Sequence, residues 1–259
     1  TIYTMNKIFN FPFSLLFFFG ITQAQVSKTA PNILFIAVDD LKPTIGAFGD
    51  DLAHTPNIDL LAENATLLLN NHTQQAVCGP SRASLMTGKR PDYTKVRDLK
   101  TKMRDMVPEI VTIPQYFKNQ GYMTIGLGKI FDPRCVDEFR DKPSWSVPFM
   151  PEHKFEYPSE YGPPAMGFYQ DPKIKAYIQK LRNEAKVNGV KNLGKHLRDT
   201  FKPPFEKTDA PDDAYVDGAL AMYANKFLDE YKPESNEPFF LAVGFKRPHL
   251  PFTAPKKYW

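Results

Sequence analysis

The stretch Asn32-Ile33-Leu34-Phe35-Ile36-Ala37-Val38-Asp39-Asp40 decides how the chain folds. Its apolar run has no polar alternation and includes the β-branched residues Ile33, Ile36 and Val38. Such a run reads as a strand buried on both faces, the pattern of a parallel sheet between helix layers. It ends on two carboxylates. Neighbouring like charges repel and are best tolerated with a hard cation between them. From the pair alone, a solvated strand-to-loop turn competes with a cation site. If a cation binds, oxygen ligands favour Ca²⁺, with Mg²⁺ as the alternative, over zinc.

Outward from this strand, helices and strands alternate. His54 to Asn64 reads as a short helix with Asn57 as its cap. Thr112 to Gly121 has a cap, an early proline and a closing glycine, and predicts a second helix before a strand at Tyr122–Leu127. That strand leads to Gly128-Lys129. From Asp132 to about Pro211 the periodicity is weak, which predicts a surface excursion carrying a helix over Ile174–Ala185. Its basic part, Lys186 to Lys207, reads as a solvated face, with a polyanion surface as the alternative. Asp213 to Tyr231 places Val216, Leu220, Tyr223 and Phe227 on one helical face. Pro238 to Phe245 is another buried strand, followed by Lys246-Arg247-Pro248-His249. This alternation defines an α/β layer fold, in which ligands gather beyond the carboxyl ends of the strands. Asp39/Asp40, Lys129 and His249 all fall there.

A second informative run is Cys78-Gly79-Pro80-Ser81-Arg82-Ala83-Ser84-Leu85-Met86-Thr87-Gly88. With Pro80 at the first helical position, free backbone N–H groups and the positive end of the helix dipole would face Cys78. Arg82 would add charge one turn on. That setting lowers a thiol pKa and suits an anionic substrate. An isolated cysteine is otherwise a small buried hydrophobe. The spacing Cys-x3-Arg is not the Cys-x5-Arg cradle of cysteine phosphatases.

Composition narrows the class further. The chain has 259 residues, 24 prolines, two cysteines and a net charge of +4. That charge is too small to argue for nucleic acid, and no nucleic-acid-binding motif is present. Met5-Asn6-Lys7, the apolar run Ile8 to Ile21 and Thr22-Gln23-Ala24 read as a secretory signal. The run is short and broken by Asn10, Pro12 and Ser14, so no stable membrane span is expected after cleavage. The organisation expected is upstream residues plus signal over 1–24, a linker over 25–30, and one domain over 31–259. Location is then secreted, periplasmic or extracellular, or lysosomal in a eukaryote. Asn64-Ala65-Thr66 and Asn71-His72-Thr73 are glycosylation sequons that matter only on a eukaryotic route. His54, His72, His153 and His196 lack metal-ligand spacing and read as ordinary surface or turn histidines.

The run Cys78-Gly79-Pro80-Ser81-Arg82 through Leu85-Met86-Thr87-Gly88 resembles the signature of the sulfatase family. The resemblance extends from Pro31 to Trp259. It implies an alkaline-phosphatase-like fold, with a mixed, mostly parallel sheet between helix layers. It also implies that Cys78 is the precursor of formylglycine, an aldehyde whose hydrate attacks sulfur and then expels sulfate. A gem-diol beside a divalent cation is an activated, self-regenerating nucleophile. Maturation would need a formylglycine-generating or anaerobic sulfatase-maturating enzyme. The resemblance gives Asp39, Asp40 and Cys78 to the metal, Ca²⁺ or Mg²⁺. Arg82 would stabilise the diolate, Lys129 would bind sulfate, and His249 would serve near the leaving oxygen as acid or sulfate contact. Gln74-Gln75-Ala76-Val77-Cys78, Thr112 to Phe117 and Phe239 to Phe245 most resemble iduronate-2-sulfatase-like enzymes. The implied substrate is a sulfated glycan containing uronic acid.

Two features depart from that pattern. Asp132 stands where the family's second signature has histidine after Gly128-Lys129. A carboxylate there would repel sulfate unless protonated or paired with a cation; otherwise it turns away to serve the turn at Pro133. The family's second pair of metal ligands and a second lysine come later than Trp259, so the chain reads as the N-terminal part of the catalytic domain. A polypeptide ending at Trp259 is accordingly expected to be poorly active. Two rival readings remain open on the sequence. One is a phosphodiesterase or phosphonate monoester hydrolase on the same scaffold; the other is a non-catalytic glycan-binding or vestigial fragment.

Overall fold

The computed structural model describes residues 30–232 and 237–259. The predicted signal segment and nearly all of the linker lie outside the described residues. In chain order the elements are β1 (Ile33–Val38), α1 (Pro56–Ala62), α2 (Cys78–Thr87) and the single turns α3 (Pro91–Thr94) and α4 (Met103–Met106). There follow α5 (Ile113–Asn119), β2 (Met123–Gly128), α6 (Pro172–Val187), α7 (Leu193–Thr200) and β3 (Phe205–Thr208). The last are α8 (Val216–Glu230), β4 (Phe239–Phe245) and β5 (Phe252–Pro255).

Three strands form the main sheet in the order β1-β4-β2, and both pairings are parallel. Val38 pairs with Phe245 and Gly128 with Gly244, so all three strands end at the same edge. One side of the sheet meets Met86 of α2, Phe117 of α5, Trp145 and Phe149 around Phe240. The other side meets Leu220 and Val216 of α8, with Phe155, around Leu241 and Val243. The central strand β4 is buried almost throughout because helices cover both its faces. Here the α/β reading holds.

Several local expectations change. β1 is not buried on both faces: Leu34 and Ile36 are 48% and 53% exposed. It pairs with β4 on one side, and among the described residues no helix covers those two side chains. The cap of α1 is Thr55 rather than Asn57, because Pro56 takes the first helical position and Asn57 falls inside the first turn. Helix α2 begins at Cys78 itself, after Val77, with Pro80 as its third residue. Proline is tolerated there because the first-turn N–H groups have no intrahelical partner. Thr112 caps α5 as expected, accepting from the Gln115 N–H at 3.2 Å.

The stretch 132–211 is more than a surface excursion. Trp145, Phe149 and Phe155 pack into the two main clusters, and Tyr169, Ile178 and Leu197 form a third. Helix α7 and strand β3 both lie in the basic segment, and β3 pairs parallel with β5. The lysines of this segment are exposed, while Leu197 is buried; Val187 and Phe205 stay exposed. Periodicity missed α7 and β3 because these elements are short and each buries only one or two side chains.

Candidate active site at the carboxyl ends of the strands

Three strand ends supply the site. At the end of β1, Asp40 adopts a left-handed backbone (φ +56°), a conformation that Asp tolerates better than most residues. In a continuing strand, successive side chains would point to opposite faces. The break lets Asp39 and Asp40 serve one place. A carboxylate oxygen from each and a ring nitrogen of His249 all lie within 4.8 Å of one another. At the end of β2, Gly128 turns at φ +72°, where a Cβ would press on the Gly244 carbonyl and Leu220. That close approach seats Lys129 against β4, its N–H donating to the Gly244 carbonyl at 2.7 Å.

The third end follows β4. Asp217, in the first turn of α8, accepts the backbone N–H groups of Lys246 (2.9 Å) and Arg247 (2.7 Å). Burial of Asp217 pushes its carboxyl above the ordinary value, against the pull of those two N–H donors and the charges of Arg247 and Lys246. This residue fixes the path of the turn that delivers His249. His249 Nε2 lies 3.8 Å from Asp40 Oδ2, and Nδ1 lies 2.7 Å from the Leu250 carbonyl.

Asp39 is the electrostatic centre of the group, with a side chain only 4% exposed. Burial alone would raise its pKa. The hydrogen bond from Lys129, together with the charges of Arg82 and Lys129, outweighs this and holds it below the usual value. The Arg82 Nη2 and Nε groups donate to Asp39 Oδ1 at 2.9 and 3.3 Å, and Lys129 Nζ donates to Oδ2. Arg82 Nη1 donates to the carbonyls of Lys129 and Ile130. Arg82 therefore ties β1 to the end of β2. Its bonds run to Asp39 and these carbonyls and none to Cys78.

Cys78 faces a different partner. Its thiol donates to Asp132 Oδ2 at 2.9 Å. Asp132 also accepts from Arg134: Nε to Oδ1 at 2.9 Å, Nη2 to Oδ2 at 2.8 Å, and the backbone N–H to Oδ1 at 3.0 Å. Burial would raise the Asp132 carboxyl, but the Arg134 hydrogen bonds and the thiol hold it well below the carboxylate range. Burial first, and then the neighbouring Asp132, push the Cys78 thiol up. The lowered thiol pKa expected from the helix end is thus reversed, by burial first and by the charged Asp132 carboxylate second. Asp132 has not turned away. It carries its own counter-charge in Arg134, a residue to which the sequence reading gave no role.

Asp39, Asp40, Cys78 and Arg82 line one cavity of about 440 Å³. Lys129, Asp132, Arg134 and His249 line another, of about 230 Å³. Every predicted site residue is therefore at this edge of the sheet. Cys78 shares the first cavity with the two aspartates, but the group of converging ligand atoms is completed by His249 and not by the sulfur. The donor set fits a hard divalent cation: two carboxylates, one of them exposed, with an imidazole alongside.

A parallel α/β sheet with acids, a lysine and a histidine gathered at its carboxyl edge places the protein in the alkaline-phosphatase-like class. The solved phosphonate monoester hydrolase of Agrobacterium radiobacter has the same fold, with a TM-score of 0.56 and 23% identity over 88% of this chain and 43% of that one. The sequence profile described as Sulfatase matches residues 31–259, and the chain belongs to the sulfatase family. It is 36% identical to human iduronate 2-sulfatase over 92% of this chain and 38% of that protein. It is 32% identical to a sulfatase of Formosa agariphila over 92% of this chain and 43% of that protein. The chain spans about two fifths of the length of these relatives.

Proposed function

We propose that this chain supplies the nucleophile and cation ligands of a sulfuric ester hydrolase acting on a sulfated carbohydrate with uronic acid. The observation that carries the reading is the convergence of Asp39, Asp40 and His249 beside Cys78 within a family-wide match over residues 31–259. The similarity to iduronate 2-sulfatase supports the uronic-acid substrate. The leader-like sequence supports export, and no helix of the described residues is long and apolar enough to cross a membrane.

In this reading Asp39 and Asp40 would hold Ca²⁺ or Mg²⁺, leaving the His249 ring free for the substrate. Cys78, matured to formylglycine by a formylglycine-generating or anaerobic sulfatase-maturating enzyme, lies in the same cavity. When bound beside it, a divalent cation would help turn the hydrate into an activated oxygen nucleophile. The chain's own residues bind and orient. Lys129 presents an ammonium to the cleft and balances Asp39; in the reaction that charge serves the sulfate oxygens. Arg82 fixes Asp39 and the Lys129 backbone relative to each other, a positioning part in place of direct contact with the diolate. His249 is placed to hold a proton for the leaving oxygen, with Nδ1 against the Leu250 carbonyl and Nε2 toward Asp40. The Arg134–Asp132 pair neutralises the carboxylate at the position that the family gives to histidine, so a sulfate is not repelled there.

The raised thiol pKa favours this reading over direct thiolate attack, since little thiolate forms at neutral pH. The test uses the full protein carrying this chain, produced with a maturation enzyme. Mass spectrometry of the Cys78 peptide reads conversion, and aryl sulfate is compared with aryl phosphodiester as substrate. Conversion with a preference for sulfate is expected. Intact cysteine, or a preference for the phosphodiester, would overturn the reading. Removing divalent ions with a chelator should abolish activity, and adding Ca²⁺ should restore it.

A further inference from the structure

Beside the reaction cleft lies a larger cavity of about 550 Å³, within the ~300–1,000 Å³ typical of small-molecule sites. Its walls carry Arg140, Lys142 and Lys154 against one carboxylate, Glu138, together with Trp145 and His153. Arg140 also lines the cavity that holds Lys129, Asp132, Arg134 and His249. The two spaces therefore meet at this arginine.

The backbone at that junction is held in an unusual state. Arg140 and Asp141 are both left-handed, at φ +58° and +72°. Non-glycine residues rarely adopt this, and two in succession persist only where their surroundings impose it. Here they do. Asp137 accepts the N–H groups of Asp141 (2.7 Å) and Lys142 (3.2 Å). Asp141, 1% exposed, receives Arg104 through Nε at 2.5 Å and Nη2 at 2.9 Å. The Trp145 indole donates to the Arg140 carbonyl at 2.7 Å. None of these bonds uses the Arg140 guanidinium. The network fixes where the Arg140 side chain leaves the backbone and leaves its charge for the cleft.

We infer that this cavity is a subsite for the sugar next to the one that loses sulfate, and that Arg140 at the junction reads the acidic group of that neighbour. The inference rests on the sulfated-glycan reading above and extends it to chain length. A sugar ring offers an apolar face for Phe139, which is 56% exposed on the same wall, and a carboxylate or sulfate for the cations, and guanidinium groups bind such anions through paired N–H donors. The row Lys129, Arg134, Arg140, Lys142 then follows an extended polyanion from the reaction cleft outward. A monosaccharide would engage only its first members.

The test compares a sulfated uronic-acid tetrasaccharide with the matching sulfated monosaccharide, using the full protein carrying this chain. Arg140→Ala should lower kcat/KM on the tetrasaccharide about tenfold more than on the monosaccharide, mainly through KM. Arg140→Lys should recover part of the loss. The exposed charge reversals Lys142→Glu and Lys154→Glu, which leave the Asp141 network intact, should shift the ratio in the same direction. Tetrasaccharide binding is measured separately by calorimetry. If sulfate is released and the ratio is unchanged in every variant, the subsite is refuted while the reaction stands. If no substrate releases sulfate but tetrasaccharide binding still falls with Arg140→Ala, the subsite stands and the reaction reading fails. Equal losses on both substrates would also refute the subsite.

Discussion

The sulfur of Cys78 lies 2.9 Å from a carboxylate oxygen of Asp132, and Asp132 is at the same time gripped by Arg134. The thiol is thus a hydrogen-bond donor to a buried anion. Deprotonating it would place two negative charges side by side in a partly dry cleft, so the protonated form is favoured.

This predicts slow alkylation of unmodified Cys78. The pH profile of iodoacetamide labelling should have its midpoint above the ordinary thiol value of 9.0. Asp132→Asn should move that midpoint down and speed labelling at pH 8 several-fold. Peptide mapping separates Cys78 from Cys135, whose thiol is buried and pushed up to about 11. An unchanged midpoint in the variant would remove Asp132 as the cause.

The same carboxylate predicts an acid sensitivity. Its folded-state pKa is lowered, so its contribution to stability is fully present above the unfolded value of about 3.9. That contribution is lost as pH falls through the lower folded value. Asp132→Asn should cost about 1–3 kcal/mol at neutral pH, as a buried charged hydrogen-bond acceptor is weakened. It should also flatten the loss of stability between about pH 4 and pH 2. Urea midpoints across that range measure both effects.

Arg82 is predicted to matter to folding before chemistry. Its side chain is 6% exposed and it serves Asp39 and two carbonyls. Arg82→Met leaves a buried carboxylate with one partner fewer and should cost about 3–5 kcal/mol in chemical denaturation. Arg82→Lys should recover only part, because an ammonium lacks the planar fork that spans Asp39 and the strand end.

Asp217 is predicted to act on His249 from a distance. Asp217→Ala frees the N–H groups of Lys246 and Arg247 and should lower stability by about 1–3 kcal/mol. Activity should fall further than stability explains, through kcat, since the turn carrying His249 loosens. Asp217→Asn keeps an acceptor oxygen and should restore much of the activity. A loss confined to Tm, with kcat intact, would make Asp217 purely structural.

Much of the site was legible because its signals are local. The apolar run into Asp39-Asp40, the Gly128-Lys129 end and the Phe239-to-His249 run each announce a strand and its exit within one window. Partnerships were not legible. Arg82 is one helical turn from Cys78 in sequence, yet its guanidinium goes to Asp39 just past the end of β1, 43 positions away. Asp217 meets Lys246 across 29 positions. Asp132 looked repulsive until Arg134 was seen folded back onto it, although that arginine stands only two residues on.

The sequence alone determined the alternation of helices and strands, the parallel class of the sheet, and which residues stand at its carboxyl edge. These follow from periodicity, capping and strand-end chemistry, which act over a few residues. The tertiary structure alone decided which charges share a bond. It paired Arg82 with Asp39, gave Cys78 a carboxylate for a neighbour, brought His249 to the two aspartates, and left one face of β1 uncovered by the described residues. Such pairings depend on the register β1-β4-β2 and on turns such as Asp40 and Gly128, where the backbone leaves its regular path. A hydrogen bond is lost within a fraction of an ångström of stretching, and a charge pair in a partly dry site is strongest at contact, so the final spacing decides these energies and residue identity does not.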